Sequence, residues 1–397
     1  MSARTATWLT LAIVTVAACG GSTPSTPTSS DTSPIKIGMI VNLTGAYATL
    51  GGYDKKAALQ IVDEYNNKGG INGRKIQLDI EDDATVANNT VIAYNKLADD
   101  GHVAIVGPAF SNNELAILPL TDSKKVPVVG VAASDATVEP VHPYYWMTAP
   151  RTTELAVNLL KYLKLQGYTS VTMAHDTKSA YADSGSGHMK DMASQYGITF
   201  NDEPFETTQT DFTPLIQHIK TQNPKAVLMW ATGAPPVTFG KAYAASGLKL
   251  PLIMTAAEGT PLFYKPLGVA GEGITVQVTL GVVGDRVPAG NAAKKIIDPI
   301  AKTYSDANGG EYPPEFFWDS YVAFQLIFDA IKRKGATPAQ IKAGLDSANL
   351  LTPQGDWKYT AKQHWGLPAP SVIMAEVKGG RFEPNSFGTD TLNGKRQ

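Results

Sequence analysis

Three loops carry side chains whose types and positions suit the capture of a small zwitterion. Gly107-Pro108-Ala109-Phe110-Ser111-Asn112-Asn113 follows an apolar run and opens a helical pattern, so Ser111 sits at or just before a helix start. Its hydroxyl has two readings. It caps the helix, worth ~1 kcal/mol, or it joins the helix's unpaired N–H groups in holding a carboxylate. Ala132-Ala133-Ser134-Asp135 follows the next apolar run in the same manner, and two such loops on adjacent strands make a small anion cradle. Glu258, in Ala256-Ala257-Glu258-Gly259, follows a third run. An acid in such a loop is ordinarily just solvated. Facing an anion cradle across a cleft, it would instead take an ammonium group.

Signatures of catalysis are missing from the sequence, so an enzyme is not expected. It holds no Gly-x-Ser-x-Gly elbow, no Walker-type phosphate loop and no Gly-x-Gly-x-x-Gly after a strand. Ser246-Gly247-Leu248-Lys249 matches Ser-x-x-Lys but has no companion motif. The histidines at 102, 142, 175, 188, 218 and 364 show no metal-ligand spacing. His175-Asp176 ends a strand and reads either as a structural pair or as a ligand contact. No metal and no cofactor are expected.

The elements that must position these loops alternate. Strands are expected at 35–41, 75–80, 103–106 and 127–131, with helices between them: a stripe over 57–65 closed by Gly69-Gly70, then 86–99 and 112–123. The pattern restarts with a helix over 152–165. Strands follow at 170–174, 198–200, 226–230 and 252–255, with helices near 185–196, 211–221 and 236–245. A strand at 274–279, helices over 291–304, 316–333 and 338–347, and strands at 357–359 and 371–377 complete the body. Repeated β-α units predict an α/β fold of two doubly wound parallel-sheet lobes. Ligands of such sheets sit beyond the C-terminal strand ends.

The first residues have another task. Arg4 precedes a short apolar run over 8–16 that ends in Ala17-Ala18-Cys19-Gly20-Gly21. The run is too short to span a bilayer and reads as an export signal. Cys19 is the only cysteine among 397 residues, so it can form no internal disulfide. Val16-Ala17-Ala18-Cys19 resembles a bacterial lipoprotein box, which implies removal of 1–18 and lipidation of Cys19, against the alternative of a plain signal with a chance cysteine. Residues 22–34 are almost all Ser, Thr, Pro, Gly and Asp, the composition of a tether. The formal net charge of −2 supplies no basic field for nucleic acid.

In order and spacing, segments 35–45 (IKIGMIVNLTG), 69–83 (GGINGRKIQLDIEDD), 103–111 (VAIVGPAFS), 127–137 (PVVGVAASDAT) and 147–151 (MTAPR) resemble the branched-chain amino-acid-binding protein family, the solute receptors of ABC importers. The resemblance runs from Ile35 to about Phe382. It implies a Venus flytrap with three crossings, near 149–151, 278–281 and 352–354. Lobe 1 would then hold 35–149 and 281–352, and lobe 2 would hold 150–280 and 353–397. It implies that Ser111, Ser134 and the Ala133 backbone hold a ligand carboxylate and that Glu258 takes the ammonium. Tyr181, in the loop after strand 170–174, resembles the aromatic that closes over the ligand, and Thr232 falls at a further lobe-two contact. Leu50 stands where an aromatic is expected, with Tyr47 as its substitute, and 230–236 (WATGAPP) also departs from the amino-acid binders. The expected protein is a monomer, lipid-anchored on the extracytoplasmic side of a bacterial membrane. It would capture a branched-chain or other apolar amino acid for an ABC permease. The alternatives are an aromatic or other carboxylate, an amide or small polar solute, or a sensor role.

Overall fold

The computed structural model describes residues 1–3, 32–367 and 371–395. Cys19, the cleavage point before it and most of the tether fall outside the described residues. The chain divides into two compact units, Met1–Thr32 and Ser33–Gln397, and every described helix and strand belongs to the second.

The first sheet contains β1 (Ile35–Val41), β2 (Ile76–Asp82), β3 (Ala104–Val106), β4 (Val128–Gly130) and β5 (Tyr145–Met147), in the order β2-β1-β3-β4-β5, all parallel. The run Ile-Lys-Ile-Gly-Met-Ile-Val of β1 is buried except at Lys36. A parallel strand covered on both faces needs such a continuous apolar run. Helices α2 (Ala87–Asp99) and α3 (Ser111–Lys124) supply Leu97 and Ile117 to one face of this sheet. Helix α1 (Ala48–Asn67) contributes Ala58 and Ile61 to the core on the other side.

The chain leaves this sheet after β5, and α4 (Thr152–Gln166) opens the second lobe. There β6 (Ser170–Asp176), β7 (Thr199–Phe205), β8 (Ala226–Trp230), β9 (Leu252–Met254) and β10 (Thr275–Thr279) form the parallel part of a second sheet. Helices α5 (Ala180–Met192), α6 (Thr213–Gln222), α7 (Ala234–Ala245) and α8 (Pro261–Leu267) connect them. After β10 the chain returns through α9 (Lys294–Ala307), α10 (Glu315–Lys334) and α11 (Pro338–Leu345) to the hairpin β11 (Asn349–Thr352) and β12 (Gly355–Lys358). Strands β13 (Val372–Val377) and β14 (Phe382–Pro384) then add antiparallel to the second sheet, whose order is β14-β13-β10-β9-β8-β6-β7. Helix α12 (Ser386–Leu392) ends the described fold.

Each sheet reverses its winding once, between β1 and β3 and between β6 and β8. Crevices form at the C-terminal strand ends of such switch points. The chain leaves the first sheet between β5 and α4 and turns back from the second just after β10. The third crossing does not lie at 352–354. The stretch up to Trp365 stays on the first sheet, because the Tyr359 hydroxyl donates to the Met147 carbonyl (2.7 Å), His364 Nδ1 meets the Tyr145 carbonyl (2.7 Å) and Met147 bridges to Trp365. Residues up to Trp365 therefore belong to lobe 1, which extends past 352.

Two helix boundaries also move. Helix α1 begins at Ala48, not near 57, so Leu50 is helical. Burial of Leu50 and Tyr53 overrides the weak helix propensity of Gly51-Gly52. Helix α5 begins at Ala180, because Ser179 caps it by accepting from the Ala182 N–H (3.4 Å), so Tyr181 lies in its first turn instead of in a loop.

Candidate functional site

Two chambers occupy the cleft at the switch points. The smaller, of about 50 Å³, has Ser111, Ala133 and Ala149 on one side and Tyr181, Thr232 and Ala257 on the other. Glu315, Phe316 and Asp319, all from the start of α10, line it as well. The larger, of about 290 Å³, is lined by Tyr47 and Leu50 from lobe 1 and by Gly233, Val237, Glu258 and Phe263 from lobe 2. Ala257 borders both. Seven of the eight residues expected at the ligand thus reach one chamber or the other. Ser134 is buried in the same turn as Ala133 but does not line either.

Local structure explains the placement. Phe110 is the N-cap of α3 and Ser111 its first residue, with no side-chain cap bond. The buried Ser111 Oγ has no hydrogen-bond partner in the protein. This geometry removes the simple capping reading and leaves a hydroxyl free beside the helix's unpaired N–H groups. Tyr47 packs on Phe110 with ring centroids 4.8 Å apart, joining the two chambers' walls on the lobe-one side. Across the cleft, Gly233 has φ +82°, and a Cβ there would lie 2.6 Å from the Tyr47 ring. Only glycine allows this approach of the lobes. Tyr181 meets Trp230 edge-on at 5.7 Å, which fixes its ring over the smaller chamber.

The electrostatics are one-sided. Glu258 is 2% exposed, Glu315 2% and Asp319 4%. Among the described residues, neither chamber is lined by Lys, Arg or His. Thr255 Oγ1 donates to Glu258 Oε2 (3.0 Å), and Oε1 has no partner. Burial pushes the Glu258 carboxyl well above its ordinary range, against the Thr255 hydrogen bonds that favour its charged form. Burial, and then the neighbouring Asp319, raise Glu315 in the same way. Burial lifts Asp319 to about 7, opposed by its hydrogen bond from Gln354.

Glu315 and Asp319 also tie the first two crossings to the β11–β12 turn. Glu315 Oε2 accepts from the Thr279 N–H (2.9 Å), and Asp319 Oδ1 accepts from Gln354 Nε2 (2.6 Å). The Thr148 hydroxyl donates to the Asp319 carbonyl (3.1 Å). Sequence reading missed both acids. Their signal is present, since two carboxylates four residues apart interrupt the otherwise apolar stretch Phe316-Phe317-Trp318 and Tyr321-Val322-Ala323 of a helix buried all round. His175 proves structural, paired with Asp202 at 2.6 Å.

Residues 34–381 match the family model described as periplasmic binding protein. A Leu/Ile/Val-binding protein homologue from Brucella melitensis is 27% identical over 360 residues, covering 88% of this chain and 92% of its own length. A branched-chain amino acid transporter substrate-binding protein from Streptococcus pneumoniae, solved with isoleucine, superposes with a TM-score of 0.78 at 20% identity, over 88% of this chain and 98% of its own. A solute-binding protein from Rhodopseudomonas palustris, solved with benzoate, gives 0.77 at 18% identity, over 88% and 95%. With its two-lobed α/β fold, its strand-end cleft and a family match over most of its length, the chain belongs to the periplasmic binding protein family, extracytoplasmic receptors that bind solutes for transport and are not enzymes.

Proposed function

We propose that this protein captures an α-amino acid in the cleft and delivers it to the membrane subunits of an ABC importer. One observation carries the reading. A buried free hydroxyl and a helix N-terminus face buried carboxylates across a cavity with no cationic side chain. That arrangement complements a zwitterion, with its carboxylate at Ser111 and its ammonium toward the acids. Leu50, Val237 and Phe263 in the larger chamber suit an apolar side chain, and the relatives' names agree. A ligand with a carboxylate and no amine, as in the benzoate-bound neighbour, would leave the acids without an ammonium partner. A sensor that shows its closed form to a receptor would use the same cleft.

Calorimetry with leucine and with its deaminated keto acid tests the reading, on wild type and Glu258→Gln. Wild type should bind leucine far better than the keto acid. Removing one partner of a buried charge pair costs about 2–5 kcal/mol, so Glu258→Gln should lower leucine affinity at least ~30-fold. Equal wild-type affinity for both compounds would overturn the ammonium role.

The membrane anchor is part of the same proposal. The lone Cys19 after an export-type run supports removal of 1–18 and acylation of Cys19, which would hold a monomer at the membrane surface on its tether. Intact-mass analysis of protein taken from its native membrane should show the acyl mass on Cys19. An unmodified cysteine on a freely released protein would refute it.

A further inference from the structure

The smaller chamber contains more negative charge than an α-amino acid head requires. One ammonium needs one carboxylate, and Glu258 borders the adjoining chamber through the shared Ala257. Glu315 and Asp319 remain. They are four residues apart on α10, both almost wholly buried, and both line the cavity that Ser111 faces. Glu315 Oε1 has no hydrogen-bond partner in the protein, and neither has Ser111 Oγ opposite. The titratable groups that interact with the pair are Asp54, Glu114 and Tyr181, none of them a cation. A purely structural pair would be expected to use all its oxygens or to meet a cationic side chain, because an unpaired buried carboxylate is costly.

We infer that Glu315 and Asp319 form a second cation subsite, and that the cleft takes a compact diamino acid, an α-amino acid whose short side chain ends in an ammonium group. The inference rests on the α-amino-acid reading above but changes its side chain: an ammonium group in the smaller chamber takes the place of the apolar group assigned to the larger one. The α-carboxylate lies at Ser111, the α-ammonium toward Glu258 and the side-chain ammonium between Glu315 and Asp319. The subsite is part of the hinge. The same two carboxylates hold Thr279 at the second crossing and Gln354 in the β11–β12 turn, so a cation bound there also offsets the repulsion that opposes their close approach. Burial and mutual repulsion leave the empty pair holding a proton near neutral pH, with Asp319 at about 7. A bound ammonium would displace that proton.

The test compares ligands that differ only in the terminal amine. Ornithine is set against norvaline, and 2,4-diaminobutyrate against 2-aminobutyrate, by calorimetry in buffers of different ionisation enthalpy. The diamino member of at least one pair should bind ten-fold or more tightly than its partner, with proton release that its partner does not cause. Asp319→Asn and Glu315→Gln should erase that preference, so that ornithine then binds no better than norvaline. Because both residues also hold the crossings, a variant that does not fold leaves the wild-type comparison to decide. Norvaline binding as well as ornithine would overturn the inference while the amino-acid reading stands, and would make the pair a hinge staple only. Binding of benzoate but of no amino acid would overturn both.

Discussion

Ser111 is where the chemistry was most legible and where it can be checked most sharply. Its position after an apolar strand and before a helix was enough to select it, and the structure adds that its hydroxyl caps nothing. A hydrogen bond to a charged group contributes roughly 1.5–3 kcal/mol. Ser111→Ala should therefore weaken amino-acid binding ~10- to 150-fold in calorimetry and leave the melting temperature of the free protein unchanged. Unchanged binding with a lost kilocalorie of stability would return the residue to a capping role. The strand-end rule selects the turn that holds Ala133, whereas the roles given to Ala133, Tyr181 and Thr232 rest on the family resemblance. Ser134 shows its limit, since the rule finds the turn but not which of its side chains turns inward. Glu315 and Asp319 escaped because they enter the cleft from a helix start in the hinge. Strand-end reasoning does not search there, and a helical i, i+4 acid pair reads by default as a solvated face.

At the scale of elements, what could be read depended on whether local pattern and tertiary packing agree. Strand β8, Ala-Val-Leu-Met-Trp, is apolar throughout, buried throughout and falls where expected. Strands β5 and β14 were not expected, although β3, β4 and β9, equally short, were. Helix α5 also misleads. Ser184-Gly185-Ser186-Gly187 is a poor helix sequence, yet a Cβ at Gly185 would lie 2.2 Å from the Trp230 ring. Glycine there gives up propensity for a close approach of helix to strand, and that trade is visible only once β8 and α5 are packed together. The third crossing was misplaced because contacts from Tyr359 and His364 to β5, distant in sequence, keep the tail on lobe 1.

For the whole molecule the two lobes are held together by contacts that need no ligand. Asn112 at the start of α3 donates to the Lys178 carbonyl (3.0 Å) and accepts from the Ala180 N–H (2.9 Å) across the cleft. Asp135 of lobe 1 pairs with His188 of lobe 2 at 3.0 Å and accepts from the Thr152 hydroxyl at 2.7 Å. These bonds exist only when the lobes meet, so they favour closure without favouring any ligand, and they set how much binding energy closure requires. The Asn112 bonds are partly solvated and count for about 1 kcal/mol together. Asn112→Ala should thus lower affinity about fivefold for every ligand alike, unlike changes at Ser111 or Glu258. The pair also gives closure a pH dependence. Asp135 raises His188 above its ordinary 6.5, outweighing burial and Arg151, which lower it. A raised histidine stabilises the closed form fully below 6.5 and loses that contribution as pH rises through its higher closed-state value. Asp135 is held down to about 2, chiefly by His188, Thr153 and Thr152 working against burial. Its contribution is therefore kept above its ordinary 3.8 and lost as pH falls toward 2. Small-angle scattering should show a smaller radius of gyration with saturating ligand. Between pH 6 and pH 8 the ligand concentration needed for half that change should rise in wild type relative to His188→Gln, which lacks the pair. Equal pH dependence in both proteins would remove the pair from the closure mechanism, and no contraction with a proven tight ligand would mean that the free lobes already stand closed.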